Sequence, residues 1–292
     1  MVTLAVVAHQ EKLDGSAKRD LQRALAAAGL GEAPWTMVPK ARKTTAAARK
    51  AVDAGADVVL VCGGDGTVRA GAEALAGTDT ALAVLPAGTA NLFANGLSLP
   101  MDPDGVVAAI TDGARRTIDT AVCNDMTFSV MAGTGFDAAL LDDADTAKDR
   151  FGMLAYVRSG VRNARLREPM AMKVDVDGDR FFDGGATCLL VGNIGTLTGG
   201  LEAFPDASPT DGRLDIAVVT AAGVKEWAGV MLSTLRHRPH LSGHAHMTQG
   251  ATVRVVLDGK HRLELDGGTK GTTKRLDFSI RPSSLRVCTA AE

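Results

Sequence analysis

The 292-residue sequence predicts an α/β protein, with a doubly wound domain over residues 1–120 followed by a mainly antiparallel β domain over 121–282. Three observations carry that prediction. Short apolar runs alternate with Ala-rich helical stretches as far as Asp119. Beyond it, strands of alternating polarity are joined by hairpin turns. Two glycine-containing turns also stand at equivalent places after neighbouring strands of the first half.

The elements follow in order. Residues 3–7 (TLAVV) read as a buried strand and 9–15 as the loop after it. Leu21, Ala24, Leu25 and Ala28 recur at helical spacing over 16–28, and Gly29 ends the helix. Residues 35–38 make a short second strand. Thr44 or Thr45 caps a helix that runs through Val52. VVLVC at 58–62 is apolar without alternation, the pattern of a parallel strand covered on both faces. Residues 68–76 read as a helix and ALAVL at 81–85 as a fourth strand, with the C-terminal segment 283–292 a candidate to join the same sheet. In such a sheet, ligands sit beyond the carboxyl ends of the strands.

In the second half, 172–176 and 180–182 flank Asp177-Gly178, a hairpin signal. Further strands are expected at 187–192, 214–220, 252–257, 262–265, 276–281 and 285–288. Helices are expected at 148–164, with Phe151, Leu154, Val157 and Val161 on one face, and at 224–236.

Composition excludes several classes. Lys and Arg total 32 against 34 for Asp and Glu, so no basic excess points to nucleic acid. Cys62, Cys123, Cys188 and Cys288 lie singly among apolar neighbours, in no metal-ligand spacing, which suits buried thiols in a reducing compartment. No signal peptide is evident, because the apolar run over residues 1–8 is short and charges follow it. Residues 80–101 carry no charge, but Pro86, Gly88, Asn91, Asn95, Gly96 and Pro100 rule out a membrane helix.

Gly63-Gly64-Asp65-Gly66-Thr67 lies between a buried strand and a helix. Glycines there admit close backbone approach, and helix-opening N–H groups favour an anion. A carboxylate in an anion-binding turn suggests that a cation comes too, hence Mg²⁺ with a polyphosphate. The plainer alternative is a tight turn with Asp65 as the helix cap. One strand later comes Pro86-Ala87-Gly88-Thr89-Ala90-Asn91, again with a Gly, a hydroxyl and an amide before a helix start. Two such turns on adjacent strands make a nucleotide crevice the better reading, and neutral donors facing a polyanion explain the missing charges over 80–101.

GGDGT followed by LPAGTANLF resembles the diacylglycerol kinase catalytic family of bacterial lipid kinases, sisters of the sphingosine kinases and more distant kin of the NAD kinases. The resemblance continues through Gly133-Thr134-Gly135-Phe136-Asp137. It takes in Gly192-Asn193 to Gly199-Gly200, then Pro205, Ala207 and Asp211-Gly212-Arg213-Leu214-Asp215, and ends at Glu264-Leu265-Asp266-Gly267. It implies ATP and Mg²⁺ as cofactors, with Gly63, Gly64, Asp65, Gly66, Thr67, Gly88, Thr89 and Asn91 binding the nucleotide between the domains. Asp266 would be the base that takes the proton from a lipid hydroxyl. A structural Mg²⁺ would lie at Asp211 and the backbone carbonyls of Ser208 and Arg213. Read without the family, Asp211-Gly212 and Asp266-Gly267 are equally ordinary turns.

The resulting expectation is a cytoplasmic lipid kinase that phosphorylates diacylglycerol in phospholipid metabolism and touches the membrane surface transiently. A homodimer is compatible with it. The rivals are an NAD kinase-like enzyme and a non-catalytic lipid- or nucleotide-binding relative. Two departures from the family motivate the latter. The first loop reads Ala8-His9-Gln10-Glu11-Lys12, with only Lys12 a candidate phosphate contact, and Gly268 stands where the family has Glu. Alternation over 262–265 places Leu263 and Leu265 inward, Arg262 and Glu264 outward. The basic run Lys40, Arg42, Lys43, Arg49 and Lys50 reads as a solvated face, with nucleotide phosphate or lipid headgroups as its other uses. Lys148 and Arg150 are candidates to neutralise the transferred phosphate, with a solvent-exposed surface position as the equal alternative. Histidines 237, 240, 244 and 246 fit a loop better than a metal site.

Overall fold

A computed structural model of the chain describes residues 2–135, 169–196 and 202–291. They fall into two compact units. The first comprises residues up to Thr120, Thr127–Ser129 and the chain from Arg281 on; the second comprises Ala121–Met126 and Val130–Ile280. The expected helix at 148–164, with Lys148 and Arg150, lies outside the described residues, as do Phe136 and Asp137.

In the first unit, β1 (Leu4–His9), β2 (Trp35–Val38), β3 (Val58–Gly63) and β4 (Ala81–Pro86) form a parallel sheet in the order β2-β1-β3-β4. Side chains alternate between its faces. Leu4, Val6, Leu60 and Cys62 meet Leu21 and Leu25 of α1 (Gly15–Ala27) and Val106 and Ile110 of α5 (Pro103–Thr111). Between those helices in sequence come α2 (Thr44–Asp53), α3 (Asp65–Leu75) and α4 (Leu92–Gly96). On the opposite face α3 approaches closely enough that a Cβ on its Gly71 would lie 2.8 Å from Val61. The apolar runs without alternation thus have helices on both faces, as their composition requires. Capping sets the helix starts. Asp14 accepts the Ser16 and Ala17 N–H groups at 2.9 and 2.8 Å, and Asp102 that of Gly105 at 2.9 Å.

The remaining strands are β5 (Ala114–Cys123), β6 (Met126–Phe128), β7 (Met131–Thr134), β8 (Met170–Val176), β9 (Asp179–Ala186), β10 (Cys188–Gly192), β11 (Leu214–Val219), β12 (Ala245–Gly250), β13 (Thr252–Leu265) and β14 (Gly268–Thr289). In the second unit they pair antiparallel in the order β12-β11-β10-β7-β13-β14, with the β8–β9 hairpin on β13. Helix α6 (Val224–Leu235) rests on Cys188 and Val219 through Val230 and Trp227.

Several expectations change. The strands expected at 252–257 and 262–265 are one strand, β13, with a register shift between Val256 and His261. Those expected at 276–281 and 285–288 are both parts of β14, which pairs with β13 and then, at Val287, parallel to Leu82 of β4. Glu264 is buried, not outward, at 9% exposure. The pairing with β14 shifts again between Arg262 and Glu264, where the strand also meets Gly133 of β7, so simple alternation ends there. Strands β5, β6, β7 and β12 and helix α5 were not foreseen, while α4 is the helix start expected after Asn91. Among the described residues no helix is long and apolar enough to cross a membrane. The four cysteines are buried and form no disulfide with one another. Burial pushes the Cys123 thiol up to about 12 and that of Cys288 to about 11.

Candidate active site

Both glycine turns stand at the carboxyl ends of paired strands, since Gly63 of β3 is level with Pro86 of β4. Helix α3 begins three residues earlier than its apolar spacing suggests. Gly64 is the N-cap and offers no side-chain hydrogen bond, while Asp65 occupies the first turn. The cap reading of Asp65 is therefore replaced. The opening N–H groups of any helix lack intrahelical acceptors, and the N-cap residue here has no side chain to offer them.

The two turns touch backbone to backbone. A Cβ on Gly88 would lie 2.7 Å from the Gly64 Cα, and one on Gly64 would lie 3.2 Å from the Gly88 Cα. No other residue fits either position without moving the loops apart. Asn91, in the left-handed region at φ 46°, brackets Gly88: its Oδ1 accepts the Gly88 N–H at 2.9 Å and its Nδ2 donates to the Gly88 carbonyl at 3.0 Å. Thr67 is buried against Gly63, whereas Gly66 and Thr89 are exposed. The basic run begins at this edge too. Ala41, in the 3-10 turn Ala41–Lys43, lies 3.7 Å from where a Gly66 Cβ would stand. Lys12 is exposed in the turn after β1. Helix α3 is tied to its own unit by Arg69, whose Nη1 donates to the Thr127 carbonyl at 3.1 Å.

Asp266 belongs to the second unit. With Gly267 it forms a two-residue hairpin between β13 and β14, both residues at positive φ (45° and 75°) and flanked by the pair Leu265 and Gly268. The hairpin-turn reading of Asp266-Gly267 therefore holds. Asp266 is 5% exposed, and its Oδ1 accepts the Val130 and Met131 N–H groups at 2.9 and 3.0 Å. Glu264, given no role from the sequence, is buried two residues earlier, near the end of β13.

Ser208, Asp211 and Arg213 share one loop before β11. Asp211 Oδ1 accepts the Arg213 N–H at 2.9 Å, and the Ser208 and Thr210 hydroxyls lie 3.1 Å apart. Sequence reasoning gave no role to Asp215, four residues on. Burial raises its carboxyl above the usual range. A hydrogen bond from Gln249 at 2.9 Å opposes the rise, and the charges of Asp211 and Asp206 add to it. Among the described residues no three His, Cys, Asp or Glu side chains converge as a metal site. A cation here would rest on one carboxylate and backbone oxygens. The histidines are dispersed: His237 meets Glu202 at 2.9 Å, His240 lies in the 3-10 turn Pro239–Ser242, and the His246 ring is 5.5 Å from that of Phe182.

Residues 5–123 match the profile of the diacylglycerol kinase catalytic domain. Residues 130–289 match that of the YegS C-terminal NAD kinase beta sandwich-like domain. An uncharacterized protein from Synechocystis is 29% identical over 82% of this chain, which spans only 56% of that protein's length. The diacylglycerol kinase of Bacillus subtilis is 32% identical over 76% of this chain and 75% of its own. In fold, the crystal structure of a diacylglycerol kinase from Bacillus anthracis superposes with a TM-score of 0.73 at 19% identity, over 98% of this chain and 96% of that one. Two adjoining profiles that together span most of the sequence, and a relative matched over three quarters of both chains, establish that this chain belongs to the diacylglycerol kinase catalytic domain family.

Proposed function

We propose that the protein is an ATP- and Mg²⁺-dependent lipid kinase that phosphorylates a lipid hydroxyl, with diacylglycerol as its acceptor. The observation that carries this reading is the Gly64–Gly88 contact. Two backbone turns abut at the carboxyl ends of adjacent parallel strands, beside a helix whose N-cap is a glycine. That is a polyphosphate cradle in shape and polarity. ATP supplies the phosphoryl group, and Mg²⁺ the charge that offsets it.

In this reading the backbone of Gly63, Gly64, Gly66 and Gly88 lines the phosphates. The hydroxyls of Thr67 and Thr89 flank them, and Asp65 holds the metal. Asn91 acts through Gly88, whose peptide it grips from both sides. Asp266 takes the proton from the acceptor hydroxyl, and its two amide donors fix the carboxylate's orientation. Asp211, with the carbonyls of Ser208 and Arg213, offers the all-oxygen donor set that a structural Mg²⁺ takes. A lipid acceptor implies work at a membrane surface from the cytoplasm.

The test is transfer of radiolabel from ATP to extracted total lipid, with NAD as the competing acceptor. Label on diacylglycerol supports the proposal. Label on NAD favours the NAD kinase reading, and transfer to neither favours a non-catalytic relative.

A further inference from the structure

Helix α6 is seated by buried Val230 and Thr234 and by half-buried Trp227 and Met231. Its opposite stripe is Lys225, Ala228, Gly229, Leu232 and Arg236, which follows i, i+3, i+4, i+7, i+11 and is exposed throughout. The 3-10 turn Pro239–Ser242 packs back on the helix and adds Leu241. Leu232 is 48% exposed and Leu241 64%, two of the four large hydrophobic side chains so exposed among the described residues. Lys225, Arg236 and Arg238 surround them, all exposed. The acids nearby are engaged elsewhere: Glu226 accepts the Ala222 N–H at 2.8 Å, and Glu202 meets His237. The stripe therefore carries cations and no carboxylate, on a chain whose net charge is −2.

We propose that this face docks the protein on a bilayer bearing anionic headgroups. Leu232 and Leu241 enter the headgroup–acyl boundary, and Lys225, Arg236 and Arg238 meet lipid phosphates. Ala228 and Gly229, between the cations, let the helix lie close to the surface. A second copy of the chain fits worse, because a two-fold contact through this face sets cations against cations. Two leucines and three cations make a reversible attachment. Docking of this kind rests on the lipid-kinase reading for its motive, but it names a face that reading does not specify.

The experiment is cosedimentation of the full chain with phosphatidylcholine vesicles, with or without phosphatidylglycerol, in the absence of ATP. Binding is expected only with the anionic lipid, and to weaken as salt is added. Lys225→Glu/Arg236→Glu/Arg238→Glu should weaken it by about a hundredfold, from roughly fivefold for each cation near the surface. Leu232→Ser/Leu241→Ser should also weaken it, while Arg49→Glu/Lys50→Glu on the exposed side of α2 should not. Melting temperatures, checked alongside, confirm that these surface variants fold. Wild-type affinity in both α6 variants overturns the proposal, as does an equal loss in the α2 control. So does a change in oligomeric state without a change in vesicle binding. Activity on a dispersed short-chain lipid separates the two readings. If wild type phosphorylates that lipid but binds vesicles independently of α6, docking fails and the kinase stands. If binding depends on the α6 face and no lipid is phosphorylated, docking stands and the kinase fails.

Discussion

Asp266 and Met131 are joined twice: the Asp266 N–H donates to the Met131 carbonyl at 2.8 Å, and the Met131 N–H donates to Asp266 Oδ1 at 3.0 Å. With the Val130 N–H at 2.9 Å on the same oxygen, a turn residue becomes one of the most constrained carboxylates of its unit. Both donors to that oxygen are backbone amides.

Asp266→Asn keeps an oxygen for those two amides while removing the basic carboxylate. It should fold, bind ATP as wild type does, and lose about a hundredfold in kcat, the usual size of a general-base contribution. Lipid phosphorylation and ATP affinity, measured side by side, check this. An Asn variant as fast as wild type would place the base elsewhere.

Gly268→Glu restores the family's second acid and should be tolerated. Among the described residues, a Cβ on Gly268 meets nothing nearer than the Leu265 carbonyl oxygen at 3.6 Å and Lys270 Nζ at 3.7 Å. A melting temperature close to wild type and a kcat equal or higher are expected. Misfolding would show that the hairpin has less room than its backbone indicates.

Asp65→Ala removes a side chain from the first turn of α3 without touching the Gly64–Gly88 contact. Turnover should vanish with the fold intact by circular dichroism. Retention of more than about a tenth of wild-type kcat, a loss below about 1.4 kcal/mol, is incompatible with a metal-holding role.

Asp211→Ala tests the second-unit cation. Wild type should gain stability with added Mg²⁺ by mass action, and the variant should not. Parallel melting curves across a Mg²⁺ titration would leave Asp211 as a turn residue whose oxygen holds the Arg213 amide.

Asp177 gives a pH signature. The Thr252 backbone amide holds its carboxyl below the usual 3.8, against some desolvation. The Ala251 amide, the Thr252 hydroxyl and the Arg213 charge add to that effect. A carboxyl depressed in the folded state stabilises fully above the unfolded value, and the contribution is lost as pH falls through the folded one. Asp177→Asn should therefore melt below wild type at neutral pH, with the gap closing only as pH drops below 3.8. A gap independent of pH would mean that the hydrogen-bond geometry, not the charge, is what matters.

The sequence by itself determined the features that local chemistry controls. VVLVC declares a two-sided strand because only helices on both faces can shelter it, and the glycines of the next five residues declare a turn. Asp177-Gly178 declares a hairpin because both positions need positive φ, and they adopt 51° and 95°. Tertiary structure decided what depends on distant partners. Glu264 looked outward by alternation and lies inside because a bulge and Gly133 of β7 meet there. Asn91 reads in sequence as a ligand-binding amide, and only the folded loop shows its side chain gripping Gly88. Asp266 reaches amides at residues 130 and 131, and β14 leaves β13 to run beside β4, through hydrogen bonds across many residues that no local pattern encodes. Local propensity acts over a few residues. Carboxylate orientation and strand partners are fixed only when the whole sheet closes its hydrogen bonds.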